Sequence, residues 1–583
     1  VTHTSSSSSP PPPSARGFHG GTLAAVAAIF LLMGAIVLLT RQNLAPDRFN
    51  PAPLMPDFSI PTSQVRAPLP YRIVSFHRGR ADKNLIKLAA QLGFNGVQFQ
   101  IEGSNDYGIA DFAARDAREH LVDYCHSLGM SVTVWVHELS DLPGPWMPEY
   151  LGPENAQNEQ LFAYLGKRYE WILGTAIPNV DGLALTVVET QIRATEPAML
   201  LRLCDLINTK CKEHGKSFML RTFVWHPQEL AGVMAAVKKL PPDAVIMSKC
   251  VPQDWQMRGA NSAEIGAVGD RPQIIEFDVA GEYFLRNTGA NCMPALLKKQ
   301  FDYEVSKGVQ GICVRVDRND DSVLFQPNEV NLWALGLLAS GASDNVADIW
   351  KRWATYRYGA AAAPGVIRAL MPTSEVMAEL LSVGPFTFGD TRKLPPLPDE
   401  EFLTQNWQNW QWDSSYLAAY QQARTGDPAF IAQVTQQKAA AMKLADQCLV
   451  DLNAVKPLMT PLDWEILHTR LFANKMQLAY RTPMTLAALE YRAARYAQTD
   501  ADEQAHLAAA RRYVEELREV VSPQYPLPSM VEYLGREWLL GPGASGIDRN
   551  VLLYWCYDTE RLLDHQRSPL PTPVDRTPDP LHP

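Results

Sequence analysis

Gly182-Leu-Ala-Leu-Thr-Val-Val-Glu189, then Pro197-Ala-Met-Leu-Leu-Arg-Leu-Cys-Asp-Leu-Ile-Asn-Thr-Lys-Cys-Lys-Glu-His214, then Ser217-Phe-Met-Leu-Arg-Thr-Phe-Val224 read as strand, amphipathic helix and strand. The outer runs are short and apolar, as strands buried on both faces are, and the middle run is too long for a strand. The same alternation extends in both directions. Further strands are expected at Tyr71–His77, Gly96–Glu102, Ser131–Leu139, Ala244–Lys249, Ile274–Val279 and Gly311–Asp317. Helical segments such as Ile109–Leu128 and Asn158–Leu173 lie between them, and Asn328–Leu338 follows the last strand. Eight βα repeats over about 270 residues match the size of a (β/α)8 TIM barrel. A doubly wound open sheet is the alternative, but no Gly-rich phosphate loop opens the first helix. The barrel is therefore expected over 71–344.

Beyond about Asn345 the strand pattern ends. Runs such as Phe430–Val450, Pro461–Tyr480, Met484–Ala497 and Asp502–Val521 predict an all-α C-terminal domain over 345–567, followed by a Pro-rich tail from 568 to 583. This helical domain is also where a homodimer contact is expected. At the other end, 1–21 is Ser/Pro-rich, and Gly17–Thr40 holds no Asp, Glu, Lys or Arg. Residues 22–40 are long and apolar enough for a transmembrane anchor, which is favoured over a signal segment. Arg16 and Arg41 flank this run almost symmetrically, so charge barely decides its orientation. A Pro-rich linker over 41–70 follows, and the barrel is expected outside the cytoplasm, periplasmic or at the cell surface.

Composition narrows the function. The chain has 583 residues, 46% hydrophobic and 20% charged, which fits a globular protein of two or three domains. Its net charge of -10, with no basic stripe, gives no reason to expect nucleic acid. Eight scattered cysteines form no CxxC pair, so they read as buried single thiols rather than a metal site or a disulfide framework. No metal and no cofactor is expected.

Barrel enzymes carry their chemistry at the carboxyl ends of the strands, and three acids fall there. Glu189 ends the fourth strand, while Asp254 and Glu282 follow the sixth and seventh, separated by 28 positions (282 − 254). One carboxyl that donates a proton and others that activate water are what glycoside hydrolysis needs. The bland alternative for Glu189 is a salt bridge to Arg193, and for the pair, one catalytic and one structural acid. Arg221 and Lys249 could clamp a substrate carboxylate or could pair with the active-site acids. Trp225, His226, Trp255 and Tyr283 could wall a sugar site, and Glu102, His137 and Glu138 could bind hydroxyls. Asp317, Asp320 and Asp321 read as a solvated acidic loop rather than a calcium site.

Leu220-Arg-Thr-Phe-Val-Trp225, Val245-Ile-Met-Ser-Lys-Cys-Val-Pro-Gln-Asp-Trp-Gln256 and Ile275-Glu-Phe-Asp-Val-Ala-Gly-Glu-Tyr283 together resemble glycoside hydrolase family 67, which contains the xylan α-glucuronidases. Asn331-Leu-Trp-Ala-Leu-Gly-Leu337 and Glu189-Thr-Gln191 are similar to further runs of that family. The resemblance covers roughly 70–560. It implies an inverting α-glucuronidase acting on acidic oligosaccharides, with Glu189 as general acid and Asp254 with Glu282 as the water-activating pair. It also implies that Arg221 and Lys249 grip the uronate carboxylate. Two departures stand out. Leu185 replaces a lysine of the family, and a membrane segment with a linker stands where the family has an N-terminal α/β domain. A retaining glycosidase is an alternative, disfavoured because Val188 occupies the place where retaining barrels usually show Asn. A membrane-tethered barrel that binds glycan without cleaving it is another.

Overall fold

Strands β1 (Tyr71–Phe76), β2 (Gly96–Gln100), β3 (Ser131–His137), β4 (Gly182–Thr186), β5 (Ser217–Arg221), β6 (Val245–Lys249), β7 (Gln273–Asp278) and β8 (Gly311–Arg315) pair in that order, and β8 returns to β1. Every pairing in this closed sheet is parallel. The expected barrel is borne out. The computed structural model describes residues 65–77, 82–101, 106–137, 155–186, 196–224, 227–252, 257–258, 261–281, 288–318, 321–387, 417–521 and 549–564. The run 22–40 expected to span a membrane lies outside them, and no described helix is long and apolar enough to cross one.

Parallel neighbours need a crossover, and helices supply it everywhere except between β6 and β7, where the described residues hold no helix: α1 (Lys83–Gln91), α2 (Asp106–Glu119), α3 (Leu121–Ser127), α4 (Glu159–Trp171), α5 (Pro197–Glu213), α6 (Pro227–Val237) and α7 (Pro294–Ser306). Local chemistry fixes their starts. Glu196 caps α5 by accepting the N–H groups of Ala198 and Met199, and Pro197 occupies the first turn, where its missing donor costs nothing. Leu200, Leu203, Cys204, Ile207 and Cys211 then form the buried face of α5. Closure of the barrel depends on Gly311. A Cβ there would sit 2.4 Å from both Cβ and O of Tyr71, so only glycine lets β8 approach β1.

Inside the barrel Ile73, Trp135, Ala184, Met219, Val245, Met247, Ile274 and Cys313 form one apolar cluster. A single amide sits among them. The Ser75 hydroxyl lies 3.1 Å and the Cys313 thiol 3.5 Å from Gln98 Oε1, while Gln98 Nε2 donates to the sulfurs of Met219 and Met247. All eight cysteines are free and buried.

After α8 (Glu329–Ala339) the described chain is almost entirely helical: α9 (Val346–Leu370), α10 (Thr373–Leu381), α11 (Leu417–Thr425), α12 (Pro428–Val455), α13 (Pro461–Tyr496), α14 (Asp500–Val521) and α15 (Arg549–Asp564). Barrel and helices fall in one compact unit, Ile60–Pro583. Glu329, fully buried on α8, joins them by accepting from Arg357 of α9 and from the indole N–H groups of Trp333 and Trp353.

Several boundaries differ from the sequence reading. Ile109–Leu128 is two helices, because His120 turns left-handed (φ 52°) between α2 and α3. Pro461–Tyr480 and Met484–Ala497 are instead one helix, α13, which runs through Pro483. Burial on both sides of that proline, at Leu478, Tyr480, Met484 and Leu486, outweighs the lost backbone hydrogen bond. Asp317 is not in a solvated loop. It is buried, and its Oδ1 accepts the backbone N–H of His77 at 2.6 Å.

Candidate active site at the carboxyl end of the barrel

Side chains alternate in and out along a strand, so residues two positions beyond the apolar interior layer also face inward. The next inward positions toward the carboxyl ends are polar or charged: Gln100, His137, Thr186, Arg221, Lys249, Glu276 and Arg315, with Asp278 beyond Glu276. All of them are buried. A barrel interior that changes from Met, Ile and Val to this set within one layer has its polar chemistry at one end, where barrel enzymes place their sites.

Glu276 is the hub. It is fully buried on β7, and Arg221 of β5 reaches across to it, Nε to Oε2 at 2.6 Å and Nη2 to Oε1 at 3.4 Å. Arg315 of β8 lies on the other side, Nη1 3.8 Å from Oε1. Arg221 Nη1 also donates to Thr186 Oγ1 at 3.5 Å. The fork geometry makes this a strong charge-assisted contact, and enclosure by protein keeps water from screening it.

Aromatic rings pack around the cations. The Arg221 guanidinium lies 4.6 Å from the centre of the Trp135 ring and 4.7 Å from that of Phe223. Lys249 Nζ is 3.8 Å from the same Phe223 ring, and Arg315 is 5.9 Å from Trp135. His137 stacks on Trp135 with centroids 5.4 Å apart. Among the described residues, Oε1 of Gln100 in this inward set and the indole Nε1 of Trp135 in the apolar layer are buried without a hydrogen-bond partner, and their residues sit opposite each other on β2 and β3.

Behind the wall a second network braces β5, β6 and β7. Glu264 is bonded to Thr222, and Ser262 donates to its Oε1 at 3.2 Å. Thr222 and Ser248 are 3.0 Å apart, and Gln273 Nε2 donates to Ser248 Oγ at 3.0 Å. Burial pushes the Glu264 carboxyl up to about 7, although the hydroxyls of Thr222, Ser262 and Ser248 and the charge of Arg221 pull it down.

Of the residues expected from sequence, Arg221 and Lys249 lie within the described part, on adjacent strands and facing the same interior, as does His137 at the end of β3. Glu189, Asp254 and Glu282 lie outside it, as do Trp225, His226, Trp255, Tyr283, Glu102 and Glu138. Their points of attachment are described: Glu189 follows Thr186 by three residues, and Asp254 follows Lys249 by five. Glu282 comes directly after Gly281, where the turn is fixed by Asp278. Asp278 Oδ1 accepts the N–H groups of Ala280 (3.0 Å) and Gly281 (3.2 Å), and Gly281 takes a φ of 75°. Sequence reasoning missed Glu276, Arg315, Asp278, Trp135 and Gln100. The available signal was a charge inside an apolar parallel strand, as in Ile274-Ile-Glu-Phe277, which demands a buried partner.

No protein-family model matches the chain, and none of the curated proteins matches it. Solved structures do. A GH138 enzyme targeting pectin rhamnogalacturonan II superposes with a TM-score of 0.60 at 14% identity, covering 85% of this chain and 68% of that one. A family GH115 4-O-methyl-α-glucuronidase with specificity for decorated arabinogalactans gives a TM-score of 0.45 at 12% identity, covering 78% and 59%. An O-GlcNAc hydrolase from Thermobaculum terrenum gives 0.38 at 11% identity, covering 81% and 98%. The likeness to family 67 rests on the quoted sequence runs alone. At these identities what is shared is architecture, and the first of these matches establishes that the fold of this chain is one found among glycoside hydrolases.

Proposed function

We propose that this protein is a glycoside hydrolase that removes glucuronic acid, or a related uronate, from the end of acidic oligosaccharides with inversion. The observation that carries the reading is the pair of inward cations, Arg221 and Lys249, held at the carboxyl end of the barrel, while the chain runs on from β4, β6 and β7 in sequence to Glu189, Asp254 and Glu282. Buried cations need negative partners, and Glu276 is shared between Arg221 and Arg315. A substrate carboxylate could take further donors, since a guanidinium carries five N–H groups and an ammonium three.

In this scheme Glu189 gives its proton to the glycosidic oxygen as the bond from that oxygen to the anomeric carbon breaks. Water attacks the same carbon from the opposite face, and its proton passes to the Asp254/Glu282 pair. Trp135 Nε1 and Gln100 Oε1, a donor and an acceptor without partners, suit a sugar hydroxyl. The fold shared with an enzyme targeting rhamnogalacturonan II supports a polysaccharide substrate. The apolar run 22–40 suits an anchor or signal that would place the barrel outside the cytoplasm.

The test is a panel of α-linked uronate oligosaccharides and their neutral counterparts, with the wild type and Glu189→Gln. Release of uronate by the wild type, falling by about 10²–10⁴-fold in Glu189→Gln, is expected. Equal release from neutral and acidic substrates would contradict the uronate reading. Full activity of Glu189→Gln would contradict the acid.

A further inference from the structure

Where the barrel lacks a crossover helix, a polar network takes the helix's place. Elsewhere apolar helix faces cover the sheet, as Leu200, Leu203, Cys204 and Ile207 of α5 do. Between β6 and β7 the described residues hold no helix. Met219, Met247 and Ile274 face the interior, so by alternation Thr222, Ser248 and Gln273 face outward. These three are buried, together with Ser262 and Glu264 of the crossover.

Glu264 ties the three strands together. Its Oε2 is bonded to the Thr222 hydroxyl, and its backbone carbonyl accepts from Gln273 Nε2 at 2.9 Å. The same Nε2 donates to Ser248 Oγ at 3.0 Å, and Ser248 Oγ lies 3.0 Å from Thr222 Oγ1. The four residues thus form a closed ring, each bonded to the next. The ring is held to the wall by the Thr222 N–H, which donates to the Met247 carbonyl at 2.9 Å. Thr222 directly follows Arg221, and Ser248 directly precedes Lys249. Those two cations also share the Phe223 ring, at 4.7 and 3.8 Å. A buried polar ring costs desolvation that an apolar helix face would not, and in return it is directional.

We propose that Glu264 is a positioning residue that, through Thr222 and Ser248, fixes the spacing of Arg221 and Lys249 and thereby the selectivity of the site for an anionic sugar over a neutral one. This inference rests on the reading of those cations as a carboxylate clamp in the proposed function.

The experiment is titration calorimetry with D-glucuronate and D-glucose as probes, at pH 6, below the value of about 7 at which Glu264 ionises. The wild type should prefer glucuronate. Glu264→Gln, which keeps the shape and neutrality of the protonated acid, should hold that preference within about twofold. Thr222→Val/Glu264→Leu replaces both partners by apolar groups, so its urea midpoint should stay close to that of the wild type. Its glucuronate affinity should nevertheless fall about tenfold, as for loss of one charge-assisted hydrogen bond, with glucose binding unchanged. Glu264→Asp, a milder change that shortens the reach to Thr222 by one methylene, should move glucuronate binding in the same direction and carries the test should the double variant unfold. Arg221→Met/Glu276→Leu serves as the control for the clamp. If that control loses the preference while the Thr222/Glu264 and Asp variants keep it, the positioning role is overturned and the clamp stands. Equal weakening of both sugars in those variants reduces Glu264 to a support of the wall and also overturns the proposal. Equal affinity of the wild type for the two sugars overturns the clamp, and the positioning role with it.

Discussion

Arg221 was expected to face a substrate carboxylate, and its fork is turned on Glu276. The two roles are compatible, because a guanidinium carries more donors than one carboxylate uses. The pairing does set the cost of mutation. Glu276→Ala leaves Arg221 and Arg315 buried without their shared anion and should lower unfolding stability by about 3–5 kcal/mol in urea titration. Replacing both partners, as Arg221→Met/Glu276→Leu, should recover much of that loss while abolishing uronate selectivity. Glu264 gives a pH signature. Its carboxyl ionises at about 7 when folded, against an ordinary value of 4.5. Between those values the folded chain holds one more proton than the unfolded chain, so this residue's contribution is full below 4.5 and is lost as pH rises through 7. Glu264→Gln should therefore gain on the wild type from pH 5 to pH 8, read as urea midpoints. A parallel pH dependence in both proteins would contradict the assignment.

Among the elements, the strands were the most legible, since each is an apolar run bounded by turns, and parity then places Arg221 and Lys249 on the inner face. Their ends were less so. Ile101 and the stretch Thr222–Val224 were expected in strands and lie just beyond them, since the paired register ends at Gln100 and Arg221, with only the N–H groups of Ile101 and Thr222 still bonded to Trp135 and Met247 of the neighbouring strands. Helix continuity was the least legible. Pro483 reads as a break and His120 as mid-helix; tertiary packing carries the helix through the first, and at the second the exposed His120 turns left-handed while Asp116 Oδ1 accepts the Val122 N–H. Glu276 was hidden for a related reason, its significance depending on arginines 55 and 39 positions away (276 − 221 and 315 − 276). A further helix interruption supports a clean test. Gly359 within α9 takes φ 79° and ψ 159°, and nothing lies within 4 Å of where a Cβ would stand. Gly359→Ala should thus cost about 1–3 kcal/mol from backbone strain alone. A neutral outcome in thermal unfolding would show that the segment relaxes to continuous helix.

At the scale of the molecule, the barrel supplies rigid strand ends and the helical half restrains the loops after β6, β7 and β8 through Arg258, Asn474 and Arg470. In the proposed chemistry the water-activating acids, Asp254 and Glu282, follow β6 and β7 in sequence and the proton donor, Glu189, follows β4, and an inverting reaction needs water to fit between the sugar and its base. The central claim is tested most directly by time-resolved proton NMR of the purified protein acting on an α-linked uronate oligosaccharide. The account predicts that free uronic acid appears first as the β-anomer and only later mutarotates toward equilibrium. First appearance as the α-anomer, or no uronate released from any acidic oligosaccharide, would contradict it.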